Sequence, residues 1–233
     1  MRRSLLFAEL AWIAYKEEAS AQPVVSQLGL DETLFFERDG SQAYMFANGN
    51  DCIVACRGTE PKEWNDIKAD INALMAVAET VGHVHRGFKN EVDDLWPGLE
   101  QSLIENKKTL WFCGHSLGGA MATICASRCF LSHIPSNPEQ VFTFGSPRVG
   151  NGKYVNHVKL NHIRWVNNND LVTRVPPTWL GYRHTGKEMY FNAYGNLRNW
   201  TRWQRSKDRW RGAWMGLRKG QLCLLYTSDA ADE

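Results

Sequence analysis

The feature that most constrains the fold is a glycine-rich turn between an apolar strand and an alanine-rich helix. The turn reads GHSLGG over residues 114–119, after a strand predicted over Thr109–Cys113 and at the start of a helix predicted over Gly118–Phe130. Flanking glycines permit a strained serine at the tip of such a turn because they lack Cβ atoms. The helix N-terminus behind it favours the negative charge that develops in acyl transfer. We therefore predict a nucleophile elbow with Ser116 as the nucleophile, rather than a turn without chemistry.

Strands and helices alternate through the middle of the chain, which is typical of an α/β domain with a mostly parallel sheet. Asn48-Gly49 is a strong hairpin signal between two of the strands. The predicted strands are Ser41–Phe46, Cys52–Cys56, Thr109–Cys113, Val141–Phe144, Ile163–Val166 and Tyr182–Phe191, and the helices are Asn90–Glu105 and Gly118–Phe130. Because no repeat or linker divides the chain, we predict one domain over residues 1–221.

Composition excludes several functional classes. Hydrophobic residues make up 43% and charged residues 22% of the 233 residues, as in globular proteins rather than disordered, collagen-like or coiled-coil chains. Nowhere is there an apolar run of the ~18 residues that would span a bilayer. The formal net charge of +2 argues against a dedicated nucleic-acid binder. That value combines +7 across residues 198–219 with −5 across the rest of the chain.

The six cysteines fit neither a CxxC metal pair nor the disulfide framework of a small secreted domain. We expect them to be small core residues of a protein in a reducing compartment. They are Cys52, Cys56, Cys113, Cys125, Cys129 and Cys223.

Residues 1–21 resemble a signal peptide in part, with two arginines ahead of an apolar stretch and Ala19-Ser20-Ala21 as an apparent cleavage site. However, Glu9 interrupts the apolar stretch, and Leu6, Leu10 and Ile13 recur at helical spacing. We therefore expect a retained amphipathic helix and a cytoplasmic protein, with secretion as the alternative.

The remaining parts of an acyl-transfer site can also be placed. One oxyanion donor is the backbone N–H of the residue after the nucleophile, Leu117. A second is expected from the loop after Cys52–Cys56, where Thr59 offers an N–H and a hydroxyl. Asp170, just past the strand Ile163–Val166, is the candidate acid that orients a catalytic imidazole.

These motifs, in this order, resemble the class 3 (fungal-type) lipase family of α/β hydrolases, and the matches run from about residue 50 to about residue 191. The matching segments are Arg57-Gly58-Thr59, Trp64 with Asp70, His85-Arg86-Gly87-Phe88, residues 114–120, Phe144-Gly145-Ser146-Pro147-Arg148-Val149-Gly150-Asn151, Asn169-Asp170 ahead of Val175-Pro176-Pro177, and Tyr182-Arg183-His184-Thr185-Gly186.

The resemblance implies an α/β-hydrolase fold, with helices on both faces of a mostly parallel central sheet. It implies a Ser-Asp-His triad that hydrolyses carboxylic esters, typically acylglycerols, without a metal or organic cofactor. It assigns the nucleophile to Ser116, the acid to Asp170 and the oxyanion hole to Thr59 and Leu117. It also implies a lid over roughly Pro61–Ala76, although the apolar residues there could equally pack in the core. The alternatives to a lipase or carboxylesterase are a phospholipase, an acyltransferase and a non-catalytic lipid-interface module.

The chain departs from the family pattern at the histidine, which should follow the acid. After Asp170 the sequence has only His184, and the family's base lies later in the chain. Residues 222–233 form a small acidic end that breaks sharply with the basic stretch before them. We expect these residues to be a foreign tail joined to a truncated gene, so that the triad base is missing. The alternatives are a base rerouted to His184 and a relative that naturally lacks one.

Residues 198–219 are basic and rich in tryptophan, and Trp200, Trp203, Trp210 and Trp214 recur at helical spacing. We expect this helix to dock its tryptophans on the hydrolase core and to be broken at Gly212. The alternative is contact with a lipid–water interface, for which such a basic amphipathic segment is suited. Nucleic-acid binding is disfavoured, and the sequence does not indicate an oligomeric state.

Overall fold

The computed structural model describes residues 2–58, 74–131 and 134–218, and an eight-stranded sheet lies at the centre of this part of the chain. In spatial order its strands are β1 (Glu32–Arg38), β2 (Ser41–Ala47), β3 (Asp51–Cys56), β6 (Thr109–His115), β7 (Pro138–Phe144), β9 (His162–Asn167), β11 (Lys187–Phe191) and β12 (Leu197–Arg198). The strands from β3 to β11 are parallel, whereas β1, β2 and β12 pair antiparallel at the two edges. The predicted mostly parallel sheet and the β2–β3 hairpin are therefore confirmed.

Helices cover both faces of the sheet, as predicted. They are α1 (Arg2–Ile13) and α2 (Glu18–Gln27) on one face and α3 (Arg86–Glu105) and α4 (Leu117–Arg128) on the other. Because successive side chains of a strand point to opposite faces, each central strand contributes to two cores. In β3, Ile53 and Ala55 join the cluster under α1, and Cys52, Val54 and Cys56 join the cluster under α3 and α4.

Helix α1 forms where helical spacing predicts a helix near the start of the chain. Phe7 stacks on Phe142 of β7 with ring centroids 4.4 Å apart, and Leu10 and Ile13 are fully buried. This stretch is therefore part of the core, and α/β packing on that face depends on it. No helix in the described ranges is long and apolar enough to span a membrane.

The cysteines in the described ranges are buried and free, as expected for core residues, and Cys223 lies outside those ranges. Burial raises the pKa of Cys52 to about 11, which keeps its thiol protonated and unreactive. The described residues hold no cluster of His, Cys, Asp or Glu side chains suited to a metal ion.

The prediction of a single strand over Tyr182–Phe191 is wrong. Tyr182–Arg183 forms β10 in a second, four-stranded sheet within the described ranges, and only Lys187–Phe191 joins the main sheet as β11. The other strands of the second sheet are β4 (Met75–Val77), β5 (His83–His85) and β8 (Gly150–Asn151). The break falls at Gly186, whose φ of +69° is in the left-handed region. A Cβ atom added at this glycine, at what we call its Cβ position, would lie 2.8 Å from the backbone carbonyl carbon of His162.

The predicted docking of the tryptophans at the end of the described chain is wrong for three of the four. The chain forms helix α6 (Arg202–Arg218) there, after the short helix α5 (Gly152–His157), and Trp203, Trp210 and Trp214 are largely exposed. Trp200, just before α6, is half-buried, with its ring centroid 6.4 Å from that of Tyr190. Gly212 does not break α6: its Cβ position lies 2.7 Å from Oδ1 of Asn168, so glycine lets the helix approach the sheet closely.

Asp208 attaches α6 to the body of the protein. Its side chain is almost fully buried, and its Oδ2 accepts hydrogen bonds from Tyr190 Oη (2.8 Å), Ala193 N (3.0 Å) and Asn168 Nδ2 (3.2 Å). Arg205 adds an ion pair with Glu188 of β11. A buried carboxylate that satisfies three donors thus replaces the apolar contact that tryptophan spacing suggested.

Replacing Asp208 with alanine is expected to lower the free energy of unfolding by at least about 2 kcal/mol, because three buried donors lose their acceptor. Urea denaturation measures this change, and hydrogen–deuterium exchange should show faster exchange along α6. Ser206→Ala, at an exposed position of the same helix, is the matched control and should change little. Equal stability of the two variants would contradict the anchoring role.

Candidate active site

Ser116 lies at the sharp turn between β6 and α4. Its φ of 54° and ψ of −126° fall outside the regions that non-glycine residues favour, a conformation that costs on the order of 1–3 kcal/mol. The turn is held because Ser116 N donates to Phe144 O at 2.9 Å and Gly119 N donates to Ser116 O at 3.0 Å. The residue is 7% exposed, at the N-cap of α4. This geometry agrees with the nucleophile elbow that the sequence predicts.

The flanking glycines are required by close packing around the turn. A Cβ on Gly118 would overlap the carbonyl oxygen of Cys56 and lie 2.8 Å from the carbonyl carbon of Arg57. A Cβ on Gly114 would overlap the carbonyl of Gly118. The first turn of α4 is therefore pressed directly against the carboxyl end of β3.

The loop after β3 lies beside the elbow. The Cβ position of Gly58 is 2.7 Å from the carbonyl oxygen of His115 and 3.2 Å from Gly118 N. Leu117, the predicted oxyanion donor that follows the nucleophile, is buried as the first residue of α4. Thr59, the second predicted donor, lies outside the described residues, as does most of the predicted lid over Pro61–Ala76.

Asp170 follows β9, two strands from β6, and so belongs to the same carboxyl edge of the parallel strands as Ser116. Its Oδ1 accepts a hydrogen bond from Val172 N at 2.9 Å, and its backbone N donates to Asn167 O at 2.8 Å. Its Oδ2 lies 2.8 Å from the Cβ position of Gly145, the residue after β7. Only a glycine at position 145 leaves room for this carboxylate.

His115 is a neighbour of this carboxylate that sequence reasoning passed over. Its Nε2 lies 3.7 Å from the Cβ position of Gly145, and Asp170 Oδ2 lies 2.8 Å from the same position. On the other side of the ring, its Nδ1 lies 3.1 Å from Tyr15 Oη. The signal was present in the motif GHSLGG, where the histidine directly precedes the nucleophile. Tyr15, on the turn after α1, could not be placed beside the elbow from local sequence.

His184, the alternative candidate for the triad base, forms a hydrogen bond with a backbone carbonyl group. Its Nε2 lies 2.8 Å from the carbonyl oxygen of Thr173, so that nitrogen carries the proton as a donor. Burial, together with the nearby charges of Arg164 and Arg148, lowers the pKa of His184 well below its ordinary value.

Comparison with known proteins decides the family. A family model described as Lipase (class 3) matches residues 53–179, more than half of the chain and the whole of the region just described from β3 to the loop after Asp170. The chain belongs to the class 3 lipase family. The resemblance noted from its motifs is thus confirmed.

Similar proteins are known for this member of the class 3 lipase family. Toxin TseL of Vibrio cholerae is 30% identical over 60% of the chain and 28% of its own length, and the secreted mono- and diacylglycerol lipase 1 of Fusarium solani is 32% identical over 56% of the chain and 32% of its own length. Lipase II from Rhizopus niveus has the same fold, with a TM-score of 0.68 and 24% identity over 84% of this chain and 82% of that one. The α/β-hydrolase fold is therefore established, while the chain spans about a third or less of the length of these two curated relatives.

Proposed function

We propose that this class 3 lipase is a serine hydrolase of lipid esters, with acylglycerols as its main substrate class. The observation that carries the proposal is the strained Ser116 at the β6–α4 turn, held by hydrogen bonds and backbone packing rather than by its own conformational preference. Such strain persists only where the surrounding structure imposes it, and it presents a nucleophile to a substrate. The secreted mono- and diacylglycerol lipase among the relatives supports the substrate class.

In the proposed reaction, Ser116 Oγ attacks the ester carbonyl carbon while its proton passes to a general base, which in the class 3 lipase family is a histidine. The backbone N–H of Leu117 and Thr59 stabilise the oxyanion of the tetrahedral intermediate. Collapse of this intermediate breaks the bond to the alcohol, which leaves with the proton, and the acyl group stays on Ser116. Water then releases the fatty acid by the same steps. Asp170 holds the histidine in one tautomer and stabilises its protonated form. No cofactor takes part.

The histidine is the part of the triad that this proposal leaves unassigned. No histidine follows His184 in the printed sequence, and His184 Nε2 donates to the carbonyl oxygen of Thr173. The proposal therefore does not assign the triad base to His184, and we expect this chain as given to turn over esters slowly. Recruitment of His184 as the base is the alternative, and it requires the ring to leave Thr173.

A second candidate function is a lipid-interface module that does not depend on Ser116. The exposed tryptophans of α6 favour it, because three large aromatic side chains face solvent on a basic segment. The same segment, residues 198–219, would bring a hydrolase into contact with the lipid–water interface where its substrate resides.

We propose secretion rather than the cytoplasmic compartment expected from the sequence, because relatives of this chain include secreted lipases.

The assay that tests the proposal measures fatty acid released from emulsified diacylglycerol and from phosphatidylcholine. We expect slow release that is greater from diacylglycerol and that is lost in Ser116→Ala. Ser102→Ala, on α3 and away from the elbow, is the serine control and should behave as the unmodified chain. Release that survives Ser116→Ala would contradict the proposal, and preference for phosphatidylcholine would assign a phospholipase.

A further inference from the structure

We propose that α6 docks this protein on membranes rich in anionic phospholipid through a tryptophan face made of Trp203, Trp210 and Trp214. The inference rests on the lipid-directed function proposed above and names the partner of a surface that the hydrolytic site does not use. It begins from the exposure of these three tryptophans, which are 66%, 75% and 60% exposed in that order.

Helix geometry places these tryptophans in one line. They are seven and four residues apart, so at ~100° per residue they fall within about 20° of a common direction. Gly212 and Asp208 lie roughly on the opposite side of the helix, where α6 contacts Asn168 and Tyr190. One side of α6 is thus fixed to the protein, and the other is held outward in a defined orientation.

The charges around the tryptophan face are positive. Residues 198–219 carry eight basic residues and one acid, and that acid is the buried Asp208. Lys207 places its Nζ 3.7 Å from the centroid of the Trp203 ring, and exposed Arg211 lies one turn further along the same flank. An amphipathic surface of tryptophans bordered by cations suits the headgroup region of an anionic bilayer, where each cation contributes about 1 kcal/mol.

The charge of the rest of the chain strengthens the choice of partner. Residues 1–197 carry 19 basic and 21 acidic residues, a net charge of −2, so an anionic surface attracts α6 and not the body of the protein. A convex helix face also differs from the positively charged groove with stacking platforms that single-stranded nucleic acids require. A flat anionic bilayer fits both the shape and the distribution of charge.

Docking through α6 would hold the acid loop at a fixed distance from the lipid. Arg209 Nε donates to the carbonyl oxygen of Asn168 at 3.3 Å, and Asp208 Oδ2 accepts a hydrogen bond from the Asn168 side chain. Asn168 stands two residues before Asp170, so the element that contacts the membrane is bonded to the loop that carries the catalytic acid.

The test is co-sedimentation of the Ser116→Ala protein, which cannot consume lipid through the proposed nucleophile, with phosphatidylcholine vesicles with and without phosphatidylglycerol. We expect binding to the anionic vesicles that weakens with salt, and little binding to the neutral ones. Combining Trp203→Ala, Trp210→Ala and Trp214→Ala should weaken binding at least about tenfold. Trp12→Ala, at an exposed tryptophan of α1, is the matched control and should bind normally.

Lys207→Gln with Arg211→Gln gives an independent variant that keeps every tryptophan, and it should weaken anionic binding by about thirtyfold. Equal binding to both vesicle types, undiminished binding of the triple variant, or binding to single-stranded DNA in place of vesicles would overturn the inference. Because sedimentation is measured without turnover, loss of vesicle binding and loss of Ser116-dependent hydrolysis are separate results.

Discussion

Hydrolysis of p-nitrophenyl butyrate by this chain is expected to be slow, to depend on Ser116 and to rise with added imidazole. Loss of the triad histidine lowers kcat by something on the order of 10⁶ in a comparable serine hydrolase, and what remains comes from the oxyanion hole and binding. A positioned general base contributes about 10²–10⁴-fold, and a diffusing imidazole recovers part of that because it lacks a fixed orientation. Butyrate esters are soluble, so the result does not depend on contact with an interface.

The matched control for this experiment is Ser116→Ala, since imidazole itself attacks activated esters. The difference between the two proteins at each imidazole concentration isolates catalysis by Ser116. His184→Ala should leave that difference unchanged. Loss of turnover in His184→Ala would show that His184 has moved from Thr173 and serves as the base. Turnover that imidazole does not raise would contradict the prediction that this chain lacks a positioned base.

Gly118→Ala is expected to lower the free energy of unfolding by more than about 3 kcal/mol, above the usual range for overpacking in a core. The added Cβ overlaps the carbonyl oxygen of Cys56 and lies 2.8 Å from the carbonyl carbon of Arg57, and neither backbone atom can move away as a flexible side chain would. Relief requires the first turn of α4 to separate from β3, which also moves Leu117 and the Arg57-Gly58 loop. The free energy of unfolding, measured by urea denaturation, and the Ser116-dependent rate should therefore fall together.

Gly49→Ala is the matched control for the elbow substitution. Gly49 lies in the exposed turn between β2 and β3, with no atom within 4 Å of its Cβ position. We expect a change within about 0.5 kcal/mol, as for other surface substitutions. Similar stability of Gly118→Ala and Gly49→Ala would mean that the packing at the elbow is looser than the structure indicates.

The elbow and the sheet could be predicted from the sequence because their signals are local. Apolar strands, an Asn-Gly turn and glycines around Ser116 each restrict the backbone within a few residues. The placement of Asp170 at the same sheet edge follows from its position after a parallel strand. Burial of the cysteines in the described ranges likewise follows from the apolar elements that contain them.

The features that were missed depend on contacts between distant segments. Helical spacing of tryptophans predicts one face but not its direction, which Asp208 and Gly212 determine by binding Asn168 and Tyr190. The division of Tyr182–Phe191 between two sheets depends on the approach of Gly186 to His162. The position of His115 next to Gly145 depends on the pairing of β6 with β7. The motif GHSLGG marks His115 as a neighbour of Ser116, but none of these long-range contacts has a signal in the local sequence.

The most direct test of the central claim, that Ser116 is the nucleophile, is covalent labelling by a fluorophosphonate followed by mass spectrometry. With imidazole present, we predict one adduct on the tryptic peptide 109–128, with fragment ions that assign it to Ser116 rather than Ser127. The adduct should be absent from Ser116→Ala and present in Ser102→Ala. An adduct on any other residue, or an adduct that Ser116→Ala retains, would contradict the account.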